Sequence, residues 1–124
     1  MSRNVLKDGS PSESAIQRAL IQWVRAHADL EGLVFKIPNE GKRSGAYGRR
    51  MKQEGMMPGV FDLLVTIPNH GFHAMWLELK SAKGVLSLMQ HKFKRKQESM
   101  GYFCAVCYDI DEAIETLAWY CYGD

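Results

Sequence analysis

The spacing of apolar residues predicts three helices along this chain. Residues 10 to 13, "SPSE", form a helix-start signal, and apolar residues then recur at helical spacing, so the first helix is expected over about 11 to 29. The second helix is expected to follow Ser87, a residue type that is favoured at the N-cap, and to stop at Gly101. The third helix, "DIDEAIETLAWY", closes the chain.

Short apolar runs predict four strands between these helices. "LVFKI" (33 to 37) precedes a long, polar, glycine-rich segment (38 to 59) that is expected to be a loop. "VFDLLVTI" (60 to 67) and "FHAMWLELK" (72 to 80) flank "PNHG", which has hairpin-turn composition, so these strands should pair antiparallel. "YFCAVCY" (102 to 108) is apolar throughout, which is typical of a central strand.

The element order is therefore α-β-β-β-α-β-α, which predicts an α/β fold with a small mixed sheet flanked by helices. A chain of 124 residues with 46% hydrophobic content fits a single domain over 1 to 124. No apolar stretch approaches the roughly 20 residues that cross a bilayer, and the N-terminus lacks the apolar region of a signal peptide. We therefore expect no membrane association and a cytoplasmic location.

The cysteines are expected to be reduced core residues. Cys104, Cys107 and Cys121 are an odd number in a chain without an export signal. Cys104 and Cys107 have CxxC spacing, but in a strand residues three apart point to opposite faces. No second CxxC or nearby His pair completes a zinc site.

The net charge of +2 hides an uneven distribution of charge. Residues 36 to 52 contain six Lys or Arg and one acid, residues 79 to 97 contain six and no acid, and the chain from Asp109 onward has no Lys or Arg. Such basic segments indicate either nucleic-acid binding or a solvated face.

Two acids interrupt apolar strands. Asp62 lies within "VFDLLV" and Glu78 within "WLELK", where Glu78 and Lys80 share a strand face. If the hairpin turn centres on 69 to 71, Asp62 faces Glu78, and two adjacent carboxylates need a cation or a proton. Mg²⁺ accepts such oxygen ligands, and Lys80 would then orient water or stabilise phosphate charge. The alternative is a simple ion pair between Lys80 and Asp62.

Glu13 is a further candidate. On a helical wheel it lies near the core-facing stripe of the first helix, which suggests a metal ligand, directly or through water. Its alternative role is a capping box with Ser10.

These residues resemble a known motif. "PGVFD", a hairpin and "ELK" look like the PD-(D/E)XK nuclease motif, with Pro58 and Asp62 as its first half. Together with the helix that carries Glu13, "IPNEGKRS", "QEGMMPGVFD", "LELKSAKGVLSLMQHKF" and "GYFCAVCYDIDEAI", they are similar to the VRR-NUC family, the virus-type replication-repair nucleases, over about 10 to 121. The spread of "PD" over Pro58 to Asp62 is a pattern that the family tolerates.

The resemblance implies a restriction-endonuclease-like fold and hydrolysis of DNA phosphodiesters with Mg²⁺ or Mn²⁺. It implies that Asp62 and Glu78 bind the metal with the backbone carbonyl of Leu79, that Lys80 is the catalytic lysine, and that Glu13 is the helix-borne acid.

The resemblance also gives Gln90 a catalytic role. Ser87 and Gln90 form a capping box by spacing alone, so we expect Gln90 to have both roles. A free-standing nuclease module resembles those of phages and prophages, which implies a homodimer that acts on branched DNA such as four-way junctions in the host cytoplasm.

The basic segments then become candidate DNA-binding surfaces that contact phosphates beside the scissile bond. The residues expected to bind DNA are Lys42, Arg43, Tyr47, Arg49, Arg50 and Lys83. The sequence thus predicts a metal-dependent, structure-selective DNA endonuclease. Two alternatives are a DNA-binding module of the same fold without cleavage activity and a structural phage protein with incidental charges.

Overall fold

The structure of the chain, a computed structural model, describes residues 4 to 38 and 45 to 124. In this part of the chain the helices are α1 (Glu13–Arg25), α2 (Gly45–Gln53), α3 (Leu88–Ser99) and α4 (Ile110–Tyr122), with a 3-10 turn at Ala28–Leu30. The strands are β1 (Val34–Lys36), β2 (Leu63–Val65), β3 (Met75–Leu79) and β4 (Phe103–Cys107).

The strands form one mixed sheet in the order β1-β2-β3-β4. β1 pairs antiparallel with β2 and β2 with β3, whereas β3 and β4 are parallel neighbours joined through α3. The predicted α/β fold with helices around a mixed sheet is confirmed. The prediction that residues 102 to 108 form a central strand is wrong, because β4 is at an edge of the sheet that the structure describes. Its apolar sequence instead reflects helices on both faces.

The sheet separates two groups of buried side chains. Met75, Leu77 and Leu79 of β3 pack in the larger core with α1 and α4. Trp76, the intervening residue of the same strand, packs with Phe93 of α3 in a smaller core. Strand alternation therefore places the next residue of that second set, Glu78, on the face that α3 covers.

The cysteines follow the same division. Cys107 lies in the larger core and Cys104 in the smaller one, so the two members of the CxxC spacing are on opposite faces as predicted. Both thiols, and that of Cys121, are free in the structure. Burial raises the pKa of Cys104 to about 12, which is consistent with an unreactive core thiol.

The start of α1 differs from the prediction. The N-cap is Ser12, whose hydroxyl accepts a hydrogen bond from the Ala15 N–H at 3.1 Å. Pro11 is instead held in an extended bridge with Val5, so it cannot be the first helical residue. The capping box of Glu13 with Ser10 is therefore wrong, because Glu13 itself is the first residue of the helix.

The long loop also differs from the prediction, because residues 45 to 53 form α2. Its arginines and other good helix formers outweigh its glycines, and Arg50 forms an ion pair with Glu54 at 3.2 Å, one turn further on. The helix ends before Gly55, which adopts a positive φ of 107°.

The predicted hairpin turn is confirmed. Backbone hydrogen bonds join Asn69 and Phe72 in both directions, and the two residues between them, His70 and Gly71, have positive φ angles of 53° and 84°. This turn also contacts the end of α4, since the Asn69 amide donates to the Tyr120 carbonyl at 2.8 Å. The described helices include none long and apolar enough to cross a membrane.

Tyr120 joins α4 to the hairpin from the core side, and we predict that Tyr120→Phe destabilises the protein. The side chain is fully buried and its hydroxyl donates to the Ile67 carbonyl at 2.7 Å. Removal of the hydroxyl leaves that carbonyl without this donor, so the free energy of unfolding in urea should fall by about 1 to 2 kcal/mol.

Tyr122→Phe is the matched control. It removes a hydroxyl that donates to the Asp29 carboxylate at 2.7 Å in an exposed hydrogen bond. Water replaces that partner, so the loss of stability should be smaller than for Tyr120→Phe. Equal losses in the free energy of unfolding would contradict a larger contribution of the buried hydrogen bond to stability.

Candidate active site

The candidate site lies at the end of β3, on the face of the sheet that α3 covers. Glu78 is only 2% exposed, and it is the one buried acidic or basic side chain in residues 4 to 38 and 45 to 124. A buried carboxylate requires hydrogen-bonding or charged partners, because it gives up the solvation of water. Its surroundings supply both.

Three donors from different parts of the chain surround the Glu78 carboxylate. The Asp62 N–H donates to Oε1 at 3.0 Å, and the Gln90 side-chain amide donates to Oε2 at 2.9 Å. The Lys80 ammonium lies 3.3 Å from the same Oε2. The carboxylate therefore connects the hairpin, α3 and the residue that follows β3.

The predicted register of the hairpin is confirmed. Leu63 pairs with Leu77, so the next position outward places Asp62 opposite Glu78, where the hydrogen bond between them is found. The Asp62 backbone is also fixed from the other side, because its carbonyl accepts from the Ile37 N–H at 2.7 Å. Asp62, directly before β2, and Glu78 in β3 are thus neighbours across the hairpin.

The positive charge of Lys80 does not fully compensate the negative charges around Glu78. Burial is the main cause, and the negative charge of Asp62 the second, of a pKa raised to about 7. Lys80 opposes the shift without cancelling it. A second cation beside the two acids would therefore be favourable.

Lys80 is held in place by its backbone as well as by its ion pair. Its N–H donates to the Cys107 carbonyl at 2.9 Å, which continues the pairing of β3 with β4. Its side chain is 13% exposed, so the ammonium reaches Glu78 while keeping some access to solvent. The ion pair that the structure describes is with Glu78, whereas the sequence-based alternative paired Lys80 with Asp62.

Gln90 forms the predicted capping box and also contacts the buried acid, while its catalytic role stays a prediction. Its Oε1 accepts from the Ser87 N–H at 2.9 Å, while the Ser87 hydroxyl accepts from the Gln90 N–H at 3.1 Å, which completes the capping box. The other end of the Gln90 amide donates to Glu78. The cap therefore fixes the side chain that contacts the buried acid.

Gly59 is a residue whose importance sequence reasoning missed. It has a φ of 91°, and a Cβ built on it would lie 2.4 Å from the Met89 carbonyl oxygen in the first turn of α3. Only glycine permits this close approach. The loop before Asp62 can therefore lie against the helix that carries Gln90. The "PG" pair at the start of "PGVFD" was the available signal.

The donor set fits a hard divalent cation. Asp62 and Glu78 would supply carboxylate oxygens, and Leu79, whose carbonyl is the predicted third ligand, is the last residue of β3. Mg²⁺ usually keeps several waters and so needs few protein ligands. No cluster of three or more His, Cys, Asp or Glu occurs in the described part of the chain. Glu13 is exposed on the first turn of α1, and its role as a ligand stays a prediction.

The candidate DNA-binding residues are on the surface where the structure describes them. Tyr47, Arg49 and Arg50 are exposed on α2. Lys83 is exposed in the loop before α3, with its ammonium 3.9 Å from the Asp8 carboxylate. Residues 42 and 43, the remaining predicted cations, lie outside the described residues.

Comparisons with known proteins agree with this architecture. A solved structure described as "VRR_NUC domain protein" superposes with a TM-score of 0.75 and 20% sequence identity, over 90% of this chain and 88% of that one. The chain has the VRR-NUC fold. No protein-family model matches the sequence, and no curated protein matches it significantly.

The structure brings three of the predicted site residues together at one carboxylate. The hairpin presents Asp62 and Glu78 side by side, and the following helix presents Gln90 to the same carboxylate. At 20% identity the likeness shows the fold alone.

The raised pKa of Glu78 predicts a pH-dependent stability of the metal-free protein. In EDTA the folded protein binds this proton up to about pH 7, whereas the unfolded chain releases it near pH 4.5. The stabilisation is therefore complete below pH 4.5 and is lost as the pH rises to about 7. Its size should be on the order of 3 kcal/mol in urea unfolding.

Glu78→Gln, which cannot ionise, should abolish that part of the pH dependence. Glu98→Gln is the control, because Glu98 is an exposed acid that pairs with Lys94 one turn away on α3. It should keep the wild-type slope between pH 4.5 and 7. An unchanged slope in Glu78→Gln would contradict the buried, charge-deficient state of this carboxylate.

The close approach at Gly59 predicts that Gly59→Ala is more destabilising than Gly55→Ala. Both glycines have positive φ, so alanine costs about 1 kcal/mol at either position. Open space surrounds Gly55, whereas a Cβ on Gly59 meets the α3 backbone. Urea unfolding should show a further loss of about 1 to 3 kcal/mol in Gly59→Ala alone.

Proposed function

We propose that this chain is a divalent-metal-dependent endonuclease that hydrolyses DNA phosphodiester bonds. The observation that carries the proposal is the buried Glu78 carboxylate beside Asp62, with the Lys80 ammonium 3.3 Å from it. An ion pair that served stability alone would gain little from a second acid that repels the first. Two acids and a lysine at a strand end do suit a cation and a phosphate.

Asp62 and Glu78 would hold the cation, with the Leu79 carbonyl as the third protein ligand. When bound, Mg²⁺ or Mn²⁺ supplies Lewis-acid chemistry that neutralises a phosphate oxygen and activates water for attack at phosphorus. Glu78 is suited to a fixed ligand position because Gln90 and the Asp62 N–H hold its two oxygens in a set orientation.

Lys80 would act on the substrate. Its ammonium is fixed by Glu78 but keeps partial access to solvent, so it can donate to a phosphate oxygen or orient the attacking water. Negative charge builds up on the phosphate during hydrolysis, and a preorganised cation stabilises it. Gln90 would act as a positioning residue, because its amide holds the Glu78 carboxylate in place.

The cations of α2 and of the loop before α3 support DNA as the substrate. Arg49, Arg50 and Lys83 are exposed, as contacts with phosphate require. The sequence resemblance to VRR-NUC nucleases extends the proposal to branched DNA, to a phage role and to a homodimer, whose two symmetric sites can cut two strands. Glu13 is proposed as an additional ligand, directly or through water.

Cleavage of labelled DNA by the purified protein tests this proposal. Duplex, flap and four-way-junction substrates should be cut in Mg²⁺ or Mn²⁺ and not in EDTA. Asp62→Asn, Glu78→Gln and Lys80→Met should each lower the rate at least about 100-fold. The first two weaken the binding of the proposed metal ion, and the third removes a cation that would stabilise the reacting phosphate.

Glu115→Gln and Lys7→Met are matched controls, since they make the same chemical changes at exposed positions outside the site. Both should cleave at the wild-type rate. Salt-sensitive DNA binding without cleavage under any metal would overturn the proposal in favour of a binding module of the same fold.

A further inference from the structure

We infer that Val85 and Leu88, on the segment between Lys80 and Gln90, contact unpaired nucleobases and give the proposed nuclease its preference for distorted DNA. The inference rests on the proposed function, because its ligand is the DNA on either side of the scissile phosphate. We call residues 84 to 90 the base-contact segment.

The base-contact segment is attached to the candidate site at both ends. Gly84 packs on Lys80, since a Cβ built on it would lie 3.1 Å from Lys80 Cβ and 3.4 Å from Cδ. Gln90 at the other end donates to Glu78. Between them Leu86 packs into the smaller core with Phe61 and Phe93. The segment is therefore a fixed part of the site.

Apolar side chains point outward from this fixed segment. Val85 is 78% exposed and Leu88 68% exposed, on either side of the inward-facing Leu86 and the N-cap Ser87. Met89, the next residue, is also exposed. A single exposed aliphatic side chain is ordinary, but neighbouring ones beside a site indicate an interaction surface.

The charges around this surface identify the chemistry of its ligand. Residues 79 to 97 carry six Lys or Arg and no acid, and Lys83 and Lys92 on either side of the base-contact segment are exposed. A ligand that suits this surface is therefore anionic and also has apolar faces. Nucleic acid with unpaired bases meets both conditions.

Regular duplex DNA does not meet the second condition. Its bases are stacked, and the surface beside a scissile phosphate consists of sugars and phosphates. At a flap, a junction or a frayed end, bases leave the stack, and aliphatic side chains can pack against their faces or enter the base step. Val85 and Leu88 would thus favour distorted DNA without reading its sequence.

Fluorescence anisotropy measurements of binding in EDTA test the inference separately from cleavage. The probes are a fully paired duplex and the same duplex with a single-stranded flap. Val85→Ser/Leu88→Gln should bind the flap substrate about 10-fold more weakly than the wild type, a loss of about 1.4 kcal/mol, because both aliphatic contacts with the unpaired bases are removed. Its affinity for the paired duplex should be unchanged.

Met100→Gln is the matched control. Met100 is 62% exposed at the opposite end of α3, so its substitution removes a similar apolar surface far along the helix from the site. It should keep the wild-type preference for the flap. Leu88→Gln alone should show a smaller loss of affinity for the flap substrate. Thermal unfolding should show that all three variants fold.

A 2-aminopurine base in the flap gives a direct readout of contact. Its fluorescence should change on binding to the wild type and to Met100→Gln, and not on binding to the double variant.

An unchanged flap preference in the double variant would overturn the inference and leave the nuclease proposal intact. A wild-type dimer that becomes a monomer in the double variant would also overturn it, because the surface would then join two copies. Absence of cleavage in the wild type concerns only the proposed function.

Discussion

The burial of one carboxylate, Glu78, is the constraint on which the site depends. A charged group loses most of its solvation on the covered face of a sheet, so donors have to be brought to it by the fold. The hairpin supplies a backbone N–H, α3 supplies an amide, and the chain after β3 supplies an ammonium. These three contacts tie together segments that are distant in sequence. Asp62 then adds repulsion that the contacts do not cancel.

Much of the structure around Glu78 serves to position those donors. The capping box at Ser87 fixes Gln90, and the absence of a side chain at Gly59 lets the loop before Asp62 lie against the same helical turn. The two faces of the sheet differ in what covers them. One face is an apolar core with α1 and α4, while the other has a small core that gives way to polar groups at the end of β3. The larger apolar core and the candidate site thus lie on different faces of the sheet.

The sequence predicted those parts of the fold that depend on local periodicity. Strand alternation and the "PNHG" turn were sufficient to pair Asp62 with Glu78, because turn position fixes register in a hairpin. The N-cap of α1 was misplaced because a bridge between Val5 and Pro11 takes residues 10 and 11 out of the helix. The edge position of β4 and the contact of Gly59 with α3 depend on tertiary packing, which periodicity does not contain.

The attachment of the hairpin turn to the last helix has a consequence for folding during synthesis. The turn that sets the register of the two acids is held by the Tyr120 side chain and carbonyl, some fifty residues later in the chain, and the Lys80 backbone is held by Cys107. A ribosome-bound chain has made Asp62, Glu78 and Lys80 well before these partners emerge. The stabilising contacts become available only after residues 107 to 120 have left the ribosome, which separates the synthesis of Asp62, Glu78 and Lys80 from their assembly in the fold.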